Sequence, residues 1–169
     1  IAVYGTCGHF RAGEGLAHLS DEVRRAVDAG FTCIKIKLGG TRVAEDCARI
    51  EAAMKATNGR ARLAVDLNGG LEPDIVADWL NHVEPFKLAW IEEPVEPLDY
   101  SLLASFIKHC QTPVATGENL FSWDDARNLL RYGGIRGDRD LLQLDVSLSY
   151  GISEYLRIVG GFEAAGWSR

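Results

Sequence analysis

The stretch Cys33-Ile34-Lys35-Ile36-Lys37-Leu38 alternates with the period of a β-strand, placing Lys35 and Lys37 on one face and Ile34, Ile36 and Leu38 on the other. An apolar face of this kind packs against helices, which turns the two lysines toward an enclosed interior. Burying an ammonium is costly without anionic partners. Taken alone, the six residues also fit an edge strand guarded by solvated lysines. The following strands distinguish the two readings.

In Leu63-Ala64-Val65-Asp66-Leu67-Asn68 the same parity sets Asp66 and Asn68 opposite Leu63, Val65 and Leu67, at the C-terminal tip of the strand. The pattern recurs with Glu92 ending a fourth strand, Glu118 a fifth and Asp145 a sixth. Single acids at strand ends commonly serve as helix caps or solvated loop residues. A succession of them on the lysine side of adjacent strands instead marks a site. Carboxylates from adjacent strands facing two lysines suit a hard dication. Mg²⁺ is preferred because it takes few protein oxygens and keeps positions open.

Around these strands, β-rich runs alternate with helical patterns six times, the signature of consecutive β-α units on a parallel sheet. The predicted strands are Ile1–Cys7, Thr32–Leu38, Arg62–Leu67, Leu88–Ile91, Pro113–Thr116 and Leu141–Val146. Val43, Cys47, Ile50 and Met54 repeat at helical spacing, as do Ile75, Val76, Trp79, Leu80 and Val83. Ser20 and Ser122, each followed by acidic residues, read as helix N-caps. An open doubly wound sheet usually carries a Gly-rich phosphate turn, and neither GxGxxG nor a Walker pattern occurs here. The fold class expected is therefore α/β, a (β/α)8 TIM-type barrel of which about six units are present. Residues 1–169 read as one partial barrel domain, with the last barrel strands lying outside the chain.

Composition narrows the function classes. With 47% hydrophobic and 25% charged residues the chain is globular, and a net charge of −6 without a basic cluster argues against nucleic-acid or anionic-membrane partners. Cys7, Cys33, Cys47 and Cys110 have no spacing suited to zinc and read as reduced thiols. No apolar run approaches bilayer length, so localisation defaults to the cytoplasm.

The motifs KIK at Lys35–Lys37, VDLN at Val65–Asn68, IEEP at Ile91–Pro94 and GEN at Gly117–Asn119 resemble the mandelate racemase subgroup of the enolase superfamily. The intervals agree: Lys37 to Asp66 is 29 residues, Asp66 to Glu92 is 26 and Glu92 to Glu118 is 26. The stretches Glu92–Tyr100, Ala115–Gly134 and Asp138–Arg157 further resemble the D-tartrate dehydratases of that subgroup.

The resemblance implies Asp66, Glu92 and Glu118 as Mg²⁺ ligands, Lys37 as the base and Lys35 beside it, able also to hold the substrate carboxylate. Asn68 becomes a substrate contact. Asp145 becomes the residue that orients a catalytic histidine. None of His9, His18, His82 and His109 holds that position, since all precede the Glu118 motif. Glu93, of opposite parity to Glu92, reads as structural. The implied reaction is dehydration of a 2,3-dihydroxy acid, D-tartrate to oxaloacetate and water. Another acid-sugar dehydratase or a mandelate-type racemase remains the alternative. A non-catalytic partial barrel is a reading of another class. The family's N-terminal cap is expected to lie outside this chain, which alone should lack dehydratase activity. The complete protein is expected to form a homo-oligomer.

Overall fold

Six parallel strands lie side by side in sequence order, each followed by a helix, in a computed structural model that describes residues 3–11, 13–39 and 42–167. The strands are β1 (Gly5–Cys7), β2 (Cys33–Lys37), β3 (Arg62–Asp66), β4 (Ile91–Glu92), β5 (Val114–Thr116) and β6 (Leu141–Leu142). The α-helices are α1 (Leu16–Asp28), α2 (Val43–Thr57), α3 (Val76–Val83), α4 (Tyr100–His109), α5 (Trp123–Tyr132) and α6 (Ile152–Ala164). A 3-10 turn at Glu84–Phe86 follows α3. This is the expected alternating α/β architecture. No helix among the described residues is long and apolar enough to cross a membrane.

The parity reading of β2 decides the layering. β2 pairs with β1 on one side and β3 on the other, so it is an internal strand and the lysine-guarded edge is excluded. Its Ile34 and Ile36 are fully buried with Val65, Ile91 and Val114 against the helices, whose Val23, Ile50, Trp79, Phe106, Leu129 and Ile158 complete the main core. The opposite sheet face forms a second, smaller core of Cys33, Ala64, Trp90 and Ala115. Lys35 is paired with Ala64, and this small neighbour leaves space for a long side chain to run across the interior. Tyr4 and Gln143, 139 positions apart, meet at 3.2 Å, so the sheet curls until its first and last strands come near each other.

Several boundaries differ from expectation. Ladder pairing in β1 covers Gly5–Cys7, while Ile1 and Ala2 of the predicted strand lie outside the described residues. Strand pairing in β6 stops at Leu142, and the rest of the predicted Leu141–Val146 strand is loop and turn. Ser20 is no N-cap. Helix α1 begins at Leu16 behind Gly15, because the apolar stripe Leu19, Val23 and Val27 extends through Ser20. Ser122 does cap α5, in a reciprocal capping box with Asp125.

At the N-terminal ends of the strands, charged side chains staple loops to the sheet. Arg136 donates to the carbonyls of Cys110 at 2.6 Å and Thr112 at 2.9 Å and pairs with Asp140, which accepts from Val114 N at 2.9 Å. Glu84 accepts from the backbone of Gln111 and Thr112. At the opposite end Arg49 reaches the carbonyls of Lys37 and Gly8, tying β1 and β2 together below the rim.

Two adjacent glycines in α6 provide a test of the packing. A methyl group on Gly161 would collide with the Trp123 ring, whereas one on Gly160 would meet nothing within 4 Å. Gly160→Ala should therefore stabilise the fold by roughly 0.5–1 kcal/mol through helix propensity. Gly161→Ala should destabilise it by about 1–3 kcal/mol through overpacking. Urea denaturation of the two variants checks this difference in sign.

Candidate active site

Sheet register sets Lys37, Asp66 and Glu92 in one row across β2, β3 and β4. All three stand at the C-terminal strand tips, the end where parallel barrels carry their active sites. Lys35, one pleat lower on the same face, reaches upward into this row. Its Nζ lies 2.9 Å from Asp66 Oδ2 and is also hydrogen-bonded to Glu92 Oε1. Lys37 Nζ lies 2.5 Å from the same Asp66 oxygen and 2.7 Å from Asn68 Oδ1. Asp66 thus faces two ammoniums, and Glu92 faces one.

This difference shifts the two carboxyls in opposite directions. Asp66 and Glu92 have no solvent exposure, and burial pushes both carboxyls upward. Hydrogen bonds from Lys37 and Lys35 outweigh burial at Asp66 and hold it below the ordinary carboxylate range. Glu92 stays above that range, since Lys35 is opposed by both burial and the neighbouring Asp66. Burial favours the neutral amine of Lys35, but hydrogen bonds to Glu92 and Asp66 outweigh it and keep the side chain protonated.

The rim beyond this row is shaped by two residues with left-handed backbones, Asn68 at φ 45° and Glu93 at φ 38°. Such conformations are uncommon outside glycine and break the strand alternation. Glu93 is consequently not on the helix-facing side that its parity predicts. It is 2% exposed and accepts from Asn119 Nδ2 at 2.9 and 3.0 Å. Burial pushes its carboxyl up to about 7, the Asn119 amide opposing and the nearby Glu118 and Asp66 charges adding to the rise. Glu118 lies beside Glu93, and with Asn68 and Asn119 they line a rim cavity of about 480 Å³.

Asp145 stands three residues past the end of β6, not at a strand tip. Its Oδ1 accepts from Ser147 N at 2.6 Å and Leu148 N at 3.2 Å, closing the turn that leads to α6. Of the histidines, His82 and His109 are exposed and bonded to carbonyls of their own helices, and His18 pairs with Glu14 and Glu22. His9 is exposed after β1. Three residues around Glu92 and Lys35 were not singled out from sequence. Trp90 Nε1 and Gln143 Nε2 both donate to Glu92 Oε2, and the Tyr4 ring lies 5.4 Å from Lys35 Nζ. Gln143 shares the parity of Asp145 in Leu142-Gln143-Leu144-Asp145, the signal that could have found it.

The chemistry of the donor set suits a hard dication, because Asp66, Glu92 and Glu118 offer carboxylate oxygens. Asp66 and Glu92 end β3 and β4, but Glu118 lies two residues beyond β5, past Gly117 at φ 126°, and does not end the strand as the alternation predicts. Among the described residues no group of three acidic, histidine or cysteine side chains is placed to hold a metal ion as it stands. The Lys35 ammonium bridges Asp66 and Glu92, and Glu118 sits against Glu93.

The two lysines should differ in their contribution to stability. Lys35→Met leaves Glu92 without its cation in a dry interior and should cost about 3 kcal/mol, as expected for a broken buried pair. Lys37 is partly exposed and leaves Asp66 still paired with Lys35, so Lys37→Met should cost about 1 kcal/mol. Urea titration at neutral pH measures both.

Residues 18–168 match the family model for the enolase C-terminal domain-like family. The chain is 32% identical to the L-talarate/galactarate dehydratase of Salmonella typhimurium over 163 residues, covering 94% of this chain and 39% of that protein. It is 26% identical to the arabinonate dehydratase of Saccharolobus solfataricus, covering 94% and 41%. Its fold superposes on a crystal structure of L-talarate dehydratase from Polaromonas sp. JS666, complexed with Mg and L-glucarate. The TM-score is 0.85 at 31% identity, over 97% of this chain and 44% of that one. The chain thus spans about two fifths of the length of these relatives. With the match covering most of its residues, the chain belongs to the enolase C-terminal domain-like family.

Proposed function

We propose that this chain carries the base and the metal site of a Mg²⁺-dependent acid-sugar dehydratase, a carbon-oxygen hydro-lyase. The observation that carries the reading is the convergence of Lys35, Lys37, Asp66 and Glu92 at adjacent strand tips, with both carboxylates excluded from water. The dehydratases among its relatives support the same reaction class. Asp66, Glu92 and Glu118 would hold the ion. Bound there, Mg²⁺ supplies positive charge that polarises the substrate carboxylate and offsets the negative charge formed when the α-proton leaves.

Lys37 is the base. It is the more exposed of the two lysines and lies at the rim beside Asn68, where a substrate in the adjoining cavity can reach it. Taking a proton requires the neutral amine. Lys35, kept protonated by Glu92 and Asp66, is suited to hold anionic substrate oxygens as a fixed charge. Asn68 contacts the substrate from the same rim. Lys37 Nζ accepts the proton on C2, the C2–H electron pair delocalises into the carboxylate, and the 3-hydroxyl departs with one added proton as water. The resulting enol tautomerises to a 2-keto acid. Asp145 is assigned, from the family resemblance alone, to orient the proton donor for that departure.

Within this class a 2,3-dihydroxy acid is the proposed substrate, D-tartrate giving oxaloacetate being the first candidate. The stretches Glu92–Tyr100, Ala115–Gly134 and Asp138–Arg157 support that choice. L-Talarate, galactarate and arabinonate are the comparison substrates suggested by the relatives. The protein acts on a small hydroxy acid as a soluble cytoplasmic homo-oligomer in this reading.

The test follows the α-proton by NMR in deuterated buffer with Mg²⁺ and each candidate acid. The complete protein should exchange or eliminate that proton, and Lys37→Ala in it should slow the process by roughly 10²–10⁴-fold, the usual contribution of a positioned base. Exchange at the wild-type rate in Lys37→Ala would remove Lys37 from the role.

A further inference from the structure

The two oxygens of Glu92 meet different surroundings. Oε1 faces Lys35, on the side where Asp66 also lies. Oε2 accepts from Trp90 Nε1 at 3.1 Å and from Gln143 Nε2 at 3.0 Å. Trp90 stands edge-on to Tyr4, ring centroids 5.1 Å apart, and the Tyr4 hydroxyl lies 3.2 Å from the same Gln143 nitrogen. We propose that Trp90 and Gln143 are positioning residues that pin Glu92 through Oε2, so that Oε1 alone is presented to a cation shared with Asp66. This rests on the Mg²⁺ reading above.

The grip comes from two separate elements. Trp90 immediately precedes Ile91 of β4, and Gln143 follows Leu142 of β6, so the carboxylate is held from its own strand and from two strands away. Both donors are neutral. They satisfy Oε2 without competing for the place of a cation at Oε1, which the Lys35 ammonium does.

The Gln143 amide must turn its nitrogen toward Glu92, because its oxygen there would oppose a carboxylate. Its Oε1 is buried and has no hydrogen-bond partner among the described residues. A buried amide with one end unpaired is a poor stabiliser, since the desolvated acceptor is uncompensated. Packing therefore does not account for glutamine at this place, whereas the paired nitrogen does.

The probe is Mn²⁺, which takes the same oxygen donors as Mg²⁺ and reports its binding by electron paramagnetic resonance. Trp90→Phe keeps the ring but loses the donor, and Gln143→Leu removes both amide ends. Each should weaken Mn²⁺ binding roughly 10-fold, the lower end of what support of a ligand contributes. Gln143→Leu leaves Glu92 Oε2 its Trp90 donor and should lower the thermal midpoint no more than Arg136→Lys does. Arg136→Lys, at the far end of the sheet, should lower the midpoint and leave Mn²⁺ affinity intact. Wild-type Mn²⁺ affinity in both site variants overturns the proposal while leaving the metal reading in place. Affinity that falls only in step with stability, as judged against Arg136→Lys, overturns it as well. Absence of Mn²⁺ binding to wild type removes the metal reading and this proposal together.

Discussion

The ammonium of Lys35, held between two fully buried carboxylates, is the constraint on which the sheet interior depends. Among the described residues Glu92 has no other cation within reach, whereas Asp66 pairs with Lys37 as well, and an unpaired buried carboxylate is strongly destabilising. The neighbouring positions accommodate this charge. Ala64 and Ala115 are small, leaving room across the interior, and Trp90 and Gln143 satisfy the oxygen of Glu92 that Lys35 does not reach. The same arrangement that lets the strands pack leaves Lys37 and Asn68 at the open rim. Stability and the proposed chemistry therefore share Asp66.

Division of labour along the strand axis follows from the same constraint. At the N-terminal ends, Arg136, Asp140 and Glu84 bind backbone groups and close loops, which is a stabilising role. At the C-terminal ends Lys35, Lys37, Asp66 and Glu92 bind one another, and the backbone takes left-handed turns at Asn68 and Glu93. Left-handed backbone on residues with a side chain costs of order 1–3 kcal/mol. At Glu93 that conformation sets a carboxyl against Glu118, beside the cavity proposed for substrate.

Much of this was legible because strand parity is a hard geometric rule. The alternation in Cys33–Leu38 and Leu63–Asn68 placed Lys35, Lys37 and Asp66 on one face, and the register confirms that they meet. The rule failed where strands end. Glu93 follows the last residue of β4 at φ 38°, and Asp145 lies beyond a β6 of only two residues, so alternation no longer applied to either. Ser20 was misread because an N-cap and an exposed serine inside an amphipathic helix have the same local sequence, and only the earlier start of the stripe at Leu19 separates them. Gln143 and Trp90 escaped notice because neither carries charge. Their role appears only once β4 and β6 curl toward a common interior.

Crystals grown with Mn²⁺, examined by anomalous scattering, test the central claim most directly. The account predicts a single strong peak within bonding distance of the carboxylates of Asp66, Glu92 and Glu118, with the Lys35 ammonium displaced from the line between Asp66 and Glu92. A peak bound elsewhere, or a Lys35 ammonium still bridging Asp66 and Glu92 at saturating Mn²⁺, would contradict it.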